Sequence, residues 1–540
     1  MKRTVISLSA ILICLALSAQ ESPRKQITAE QALKWWDRNG DGKLSANEVP
    51  REQLFKRLDG NSDGVVTREE LSAFLSGGPT RAQAWRGVGV SEGAPLPPAE
   101  DFKPRAHGDE AKAAGLRPDV LERIDVELQR HLSAKNIAGV IAIIHRNGRR
   151  GYGETFGLAD IAAGKPMAMD AIFRLMSMTK PLVAAAALTL FDEGEFTLDE
   201  PISNHLPEWK EPKVLENGKL VPASSPITPR MLMSHSSGLY YGSIGSGAAD
   251  EGDAAALAFS ASRGQRTSLK EFSETLARQP LKFHPGTDYQ YGHSIDILGR
   301  YLEAVAGKPL DEVMKERLFV PLKMVDTDFW VPPDKADRIC RIYRQPKPGV
   351  LEPGRDAADL TVKPTLFLGG HGLCGTAADY ERFCRMILER GELDGVRVLK
   401  PEIVDLMFQN QLKPELGQKY GLGGAVDGEG GYSWGGANGT QFWIDRENNL
   451  FGLFMVQTQH YRAPTYGAFR ILANEAAGIA SGRVGVLGTG GKGRLFKQRD
   501  KNGDGRLSRD ELPSALFDRL DTNKDGFVTE DELKALWKAR

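Results

Sequence analysis

Phe173–Gly194 reads FRLMSMTKPLVAAAALTLFDEG, and the polar residues at its opening decide how the rest of the chain is read. Ser177 and Lys180 stand three apart where a strongly helical run begins. Positions i and i+3 share one face of a helix, so the ammonium can reach the hydroxyl. A serine at a helix N-terminus also gains from the dipole when negative charge develops on it. Pro181 is tolerated in the first turn, where its missing N–H costs nothing. Ser-x-x-Lys alone is a weak signal, and a second copy, Ser22 to Lys25, carries no such context.

Two stretches further along add chemistry. FHPGTDYQYGHSIDILG, from Phe283, holds Tyr289, Tyr291 and His293. A tyrosine near a lysine can run as phenolate and serve as base for an adjacent serine. GYSWGGANGTQFW, from Gly431, places Trp434, Gly435, Gly436 and Ala437 at the entry of a strand, where paired glycines permit close backbone approach. Around these lies a block, residues 116–477, of alternating strand and helix signals. AGVIAIIHRNGRRGYGETFG reads as two strands about a turn at Asn147-Gly148. QFWIDRENNLFGLFMVQTQ, from Gln441, reads as a second hairpin, and PTYGAFRILANEAAG after it as a helix. Strands at both ends with helical sequence between them predict an α/β domain whose sheet is assembled from the two chain ends.

Outside the block the chain repeats itself. Four twelve-residue windows carry oxygen side chains at positions 1, 3, 5, 9 and 12 and glycine at position 6. Their ligand positions, with position 7 contributing a backbone carbonyl, are Asp37, Asn39, Asp41, Lys43, Ser45 and Glu48; Asp59, Asn61, Asp63, Val65, Thr67 and Glu70; Asp500, Asn502, Asp504, Arg506, Ser508 and Glu511; and Asp521, Asn523, Asp525, Phe527, Thr529 and Glu532. Calcium wants six to eight hard oxygens, the glycine lets the chain turn around the ion, and the closing glutamate can use both oxygens. Position 8 is apolar in all four (Leu44, Val66, Leu507, Val528), as a short β-bridge between paired loops requires. These windows resemble EF-hand loops and place calcium-binding pairs at 28–76 and 496–540. The segments between paired loops, VPREQLFKRL and LPSALFDRL, are copies of one another and short, closer to bacterial EF-hand arrays or dockerin repeats than to calmodulin. Residues 77–115 and 478–495, rich in Gly, Pro and Ala, read as linkers.

Compartment and charge narrow the function. Lys2 and Arg3, an apolar run from Val5 to Leu17, and then Ser18 and Ala19 form a signal-peptide pattern over residues 1–19, which predicts a secreted or periplasmic protein with no membrane span after cleavage. Lys plus Arg total 70 against 71 for Asp plus Glu, so no basic field exists for nucleic acid. Four cysteines in 540 residues make no disulfide framework.

Taken together, FRLMSMTK, ITPRMLMSHSSGL from Ile227, PGTDYQYGHSIDILG, GGHGLCGTAADYERFCRMIL from Gly369 and the Trp434-Gly435-Gly436 strand resemble the serine β-lactamase and penicillin-binding-protein superfamily, in its class C-like branch near the family VIII carboxylesterases. The resemblance implies a β-lactamase/DD-peptidase-like domain, an antiparallel sheet flanked by helices with a helical subdomain, with small helical EF-hand-like modules at both ends. It implies Ser177 as acylated nucleophile, Lys180 as its proton-accepting partner and Tyr291 as proton shuttle. The backbone N–H groups of Ser177 and Ala437 become the oxyanion donors, and Trp434, Gly435, Gly436 and His293 contact substrate. The chain departs from the class C pattern twice. Tyr-x-Asn is Tyr291-Gly292-His293, and Lys-Thr-Gly is Trp434-Gly435-Gly436, so an anion-binding ammonium becomes an apolar indole. That change favours neutral small-molecule esters over penicillins, with no cofactor for catalysis. A hydrolase of amide or lactam bonds, including D-amino-acid peptides, is the alternative. A catalytically silent calcium-dependent scaffold is the second, and the calcium modules leave room for a protein partner.

The windows carry their own test. Without the ion each loop crowds acidic side chains around an empty centre, and each pair is too small to hold a core unaided. About four ions should bind per chain, at ~10⁻⁴–10⁻³ M, as in extracellular modules. Chelation should increase protease cleavage near both termini and leave ester turnover nearly unchanged. Loss of turnover on adding EDTA to a chain without its terminal modules would instead put calcium in the catalytic block.

Overall fold

The computed structural model describes residues 41, 43–45, 65–68, 102–216, 219–241, 267–354, 359–459, 465–479, 506–507 and 528–529. The stretch 1–19 read as a signal peptide, most of both segments read as linkers and the remaining expected ligand positions of the four windows lie outside these residues. The chain divides into two compact units, Met1–Val88 with Gly245–Gly247, and the remainder.

In the first unit Leu44–Ser45 pairs antiparallel with Val65–Val66, Leu44 opposite Val66, and both of these side chains are fully buried. Lys43 N–H donates to Asp41 Oδ1 at 2.9 Å, an acidic oxygen turned back on its own loop. In the second unit Arg506–Leu507 pairs antiparallel with Val528–Thr529 in the same register, Leu507 opposite Val528. The position-8 residues of both window pairs therefore meet across a β-bridge, as their apolar character predicts.

The second unit is built on one seven-stranded sheet. Its strands are β1 (Gly139–Arg146), β2 (Arg149–Asp160), β3 (Lys165–Pro166), β4 (Ala425–Val426), β5 (Gly431–Gly435), β6 (Gln441–Asp445) and β7 (Leu450–Met455). They lie in the order β4-β5-β6-β7-β1-β2-β3, antiparallel throughout. The seam between the chain ends is β7 on β1, with Leu450 opposite Arg146 and Met455 opposite Ile141. Asn147 (φ 52°) and Gly148 (φ 76°) turn β1 into β2, the positive φ pair that a two-residue hairpin needs.

Both faces of the sheet are covered, which is why β1 is almost continuously apolar. Val140, Ala142 and Ile144 join one core with Leu121, Ile124 and Leu128 of α1 (Pro118–Ser133) and Phe469 and Ala473 of α5 (Thr465–Ala476). Ile141 and Ile143 join the other, larger core with α2 (Thr179–Asp192), α3 (Ser294–Ala306) and α4 (Ala377–Leu388). α2 is buried from Thr179 to Leu190, so its run of Ala, Leu and Val has no solvent face. Each fully buried Leu or Val contributes at most ~1.5–3 kcal/mol. The sequence puts residues 77–115 in a linker, but from Phe102 the chain is packed. Asp109–Ala113 is helical, Ala111 and Ala114 are buried, and the buried Asp125 carboxylate accepts from Arg105 N–H (3.0 Å) and Tyr152 Oη–H (2.8 Å). Cys340, Cys374 and Cys384 are buried free thiols, and burial pushes those of Cys340 and Cys374 up to about 12, which leaves them unreactive. No described helix is long and apolar enough to cross a membrane.

One close approach in the sheet gives a direct test. Gly452 on β7 stands opposite Trp443 on β6, and an added methyl there runs into the indole ring. Gly452→Ala should destabilise the catalytic block by about 1–3 kcal/mol through overpacking, read as a lower urea midpoint; an unchanged midpoint would show that Trp443 is free to move.

Candidate active site

Two backbone pairings and one close approach bring the site together. The short strand Ile172–Arg174 pairs antiparallel with Cys374–Thr376, and Leu175 N–H donates to Leu373 O at 3.0 Å. This sets the opening of α2 beside the glycines Gly369 and Gly370. Ser177 lies in the 3₁₀ turn Met176–Met178 that leads into α2, and Met176 before it has φ 50°. A non-glycine residue in that region is strained, and strain of this kind persists where surrounding structure over-determines it. On the opposite wall, His235–Gly238 runs along the 282–290 loop through Lys282 N–H to Gly238 O (2.9 Å), Gly286 N–H to Ser236 O (2.8 Å) and Gln290 N–H to His235 O (2.9 Å). That contact places Tyr241 and Tyr291 side by side. Finally, Gly436 at the end of β5 lies where a methyl would strike Leu175 O, while Thr440 Oγ1–H donates to that same carbonyl at 3.2 Å. The next residue, Ala437, is thereby delivered to the turn that holds Ser177.

The side chains converge on Ser177 Oγ. Tyr291 Oη is 2.7 Å away and Lys180 Nζ is 3.3 Å away. Lys180 Nζ also donates to Gly370 O at 2.6 Å and to Tyr241 Oη at 3.4 Å, and it lies 4.6 Å from the Tyr291 ring centroid. The lysine is fully buried, and none of these acceptors is a carboxylate. Burial, then the Asp296 charge and Tyr291, push the Tyr241 hydroxyl well above the ordinary phenol range, so this tyrosine stays protonated. Trp434 stands 5.5 Å from Tyr291 and 5.1 Å from Tyr420, ring to ring, walling the site with indole where the class C pattern has an ammonium.

Of the residues read from sequence, Ser177, Lys180, Tyr291, Trp434, Gly435, Gly436 and Ala437 lie on these site-forming elements. His293, expected to contact substrate, is turned onto Asp296. It caps α3, is only 8% exposed, and gives its Nδ1 to Asp296 Oδ2 at 2.8 Å while packing edge-on against Tyr241 and Phe272. Sequence reasoning missed Tyr241, Gly370, Asp296 and His235, although HSSGLYYG and GGHG were visible as motifs. His235 is fully buried at φ 56°, 4.7 Å from the Tyr291 ring, and neither ring nitrogen has a partner among the described residues. Burial and the nearby Lys180 charge hold its pKa well below the usual histidine range, so it is neutral. A hydroxyl touching both a phenol and an ammonium on a buried helix terminus can surrender its proton as it attacks a carbonyl carbon. The fold and this geometry define a serine hydrolase.

Known proteins agree. The β-lactamase family model matches residues 124–475, and the chain belongs to that family. The EF-hand model matches residues 52–75, 493–512 and 514–537, covering three of the four calcium windows. The lovastatin esterase of Penicillium rubens is 30% identical over 62% of this chain and 92% of its own. Esterase EstB of Burkholderia gladioli is 29% identical over 63% and 90% respectively. Among solved structures, EstCE1, described as a hydrolase with promiscuous acyltransferase activity, superposes with a TM-score of 0.56 at 25% identity, covering 66% of this chain and 98% of its own.

Gly292 links the two tyrosines and can be probed. A methyl on it would stand 2.7 Å from Leu239 O and also strike the Tyr240 backbone. Gly292→Ala should therefore separate Tyr291 from Ser177, lowering ester turnover at least tenfold along with stability by about 1–3 kcal/mol. Wild-type turnover in this variant, measured beside its melting temperature, would show that the close approach is not needed.

Proposed function

We propose that this chain is a carboxylesterase that acts on neutral esters through an acyl-enzyme on Ser177. The observation that carries this reading is the 2.7 Å contact of Ser177 Oγ with Tyr291 Oη, with Lys180 Nζ 3.3 Å from the same oxygen. Tyr291, acting as phenolate, takes the hydroxyl proton as Oγ attacks the ester carbonyl carbon, and the positive Lys180 balances the negative charge that passes from the phenolate to the reacting oxygens. The tetrahedral oxyanion is received by the N–H groups of Ser177 and Ala437. Tyr291 passes its proton to the departing alkoxide, and the alcohol leaves. Water then attacks the acyl carbon, giving its proton back through Tyr291, and Ser177 is released with the carboxylic acid. The esterases among its relatives support the ester bond, and Trp434 in place of an ammonium supports a neutral substrate.

The terminal windows are proposed as calcium sites in an exported protein. The donor set is all oxygen, and the Leu44–Val66 and Leu507–Val528 bridges are the pairing that two facing loops need. Bound calcium supplies folding energy to these modules, and the catalytic steps above use none of it.

Ser177→Ala should abolish hydrolysis of short p-nitrophenyl esters with the fold intact, and Lys180→Ala and Tyr291→Phe should each cost on the order of 10²–10⁴-fold. Losses under tenfold would mean that another residue moves the proton. Ester turnover should exceed nitrocefin turnover by orders of magnitude, and the opposite ranking would favour a lactamase.

A further inference from the structure

Lys180 is a buried cation on an apolar helix, and its hydrogen bonds all end on neutral oxygens. A buried charge without compensation is costly, so the negative charge that balances it must lie close by. The carboxylate is Asp296, fully buried in the first turn of α3. Its Oδ1 accepts from Gly370 N–H at 2.7 Å, and Gly370 O accepts from Lys180 Nζ at 2.6 Å. Its Oδ2 is held by His293 Nδ1 at 2.8 Å. A methyl on Gly370 would lie 2.8 and 3.0 Å from the two carboxylate oxygens, so only glycine lets backbone and carboxylate meet this closely.

We infer that Asp296 is a positioning residue for the reaction: through Gly370 it fixes the ammonium of Lys180 against Ser177 and supplies its balancing charge at one residue's remove. The inference rests on the reading of Ser177 and Lys180 as the reacting pair. A carboxylate bonded directly to Lys180 would compete with Ser177 for its protons. Set behind Gly370, the same charge stabilises the cation and leaves a proton of Nζ for the serine. His293 then holds the far oxygen of Asp296, which explains a buried histidine two residues after Tyr291. Burial by itself would raise the Asp296 pKa, but the His293 hydrogen bond and charge, with His371 and Lys180, outweigh it and keep the carboxyl below its ordinary range. The titratable groups facing this pair are His293, His371, His235, Tyr241 and Tyr291, and His235 is neutral and Tyr241 protonated for the reasons given above.

The test is the turnover number and KM of full-length Asp296→Asn with a short p-nitrophenyl ester, beside its melting temperature. The amide oxygen can still accept from Gly370, so the variant removes the charge with little change of shape. Loss of that charge leaves the buried ammonium without its balance. Turnover number should fall at least tenfold, with KM within threefold. Gly370→Ala, at a position with no positive φ, displaces the carboxylate without removing charge. It should lower turnover about tenfold with KM within threefold, and it decides the matter if Asp296→Asn does not fold. Wild-type rates in Gly370→Ala, or a turnover number within twofold of wild type for a folded Asp296→Asn, would overturn the inference alone. If instead a fluorophosphonate fails to label Ser177 in the active wild type, the reading of Ser177 as nucleophile fails and the inference falls with it.

Discussion

A positive charge buried in an apolar helix is the constraint on which this structure depends. Lys180 sits inside α2, a helix with no solvent face, and its ammonium must be satisfied by groups brought from elsewhere. Ser177 is supplied by the preceding turn, Gly370 by the loop before Cys374–Thr376, Tyr241 and Tyr291 by two loops zipped together, and Asp296 by the first turn of α3. Apart from Ser177, three residues from Lys180, and the neighbours Tyr291 and Asp296, these groups come from distant parts of the chain. A fold that did not bring them together would leave a bare charge in its core.

Glycines make the convergence possible. Gly292, Gly370 and Gly436 each occupy a place where a methyl would strike backbone or a carboxylate, and each lies within two residues of a group that shapes the site. The sheet provides the rigid reference. β7 closes on β1, so the two ends of the catalytic block are hydrogen-bonded to each other, and β5 carries Trp434 and Ala437 on the same frame. Surrounding packing holds the local strain at Met176 and the His235 ring, which lies among Tyr289, Tyr291 and Tyr420 with no hydrogen-bond partner for its nitrogens among the described residues.

The terminal modules follow a different logic. The catalytic block holds itself with two cores packed on opposite faces of one sheet. In the terminal windows the described residues form two-residue strand pairs at position 8. The EF-hand model matches around three of the four windows, and the proposed role of their oxygen side chains is to add metal coordination to that pairing.

What the sequence determined by itself was whatever local spacing encodes. The hairpin at Asn147-Gly148, the helix after Thr179, the sheet built from both ends, the calcium windows and the juxtaposition of Ser177 with Lys180 all rest on residues within a few positions of one another, or on periodicity along one element. The tertiary structure decided the rest. Nothing local distinguishes Asp296 from any polar residue in a first helical turn, or shows that Gly370 carries its influence to Lys180 from 190 residues away. His293 read as a substrate contact because it follows Tyr291 by two. In the fold its imidazole packs on Tyr241 and donates to Asp296, because the buried carboxylate in the first turn of α3 needs a donor. The packed start of the block at Phe102 was hidden for the same reason, since its partners, Asp125 and Phe156, lie on other elements. Contacts between distant segments are chosen by which buried groups can satisfy one another, and that choice exists only once the chain has closed.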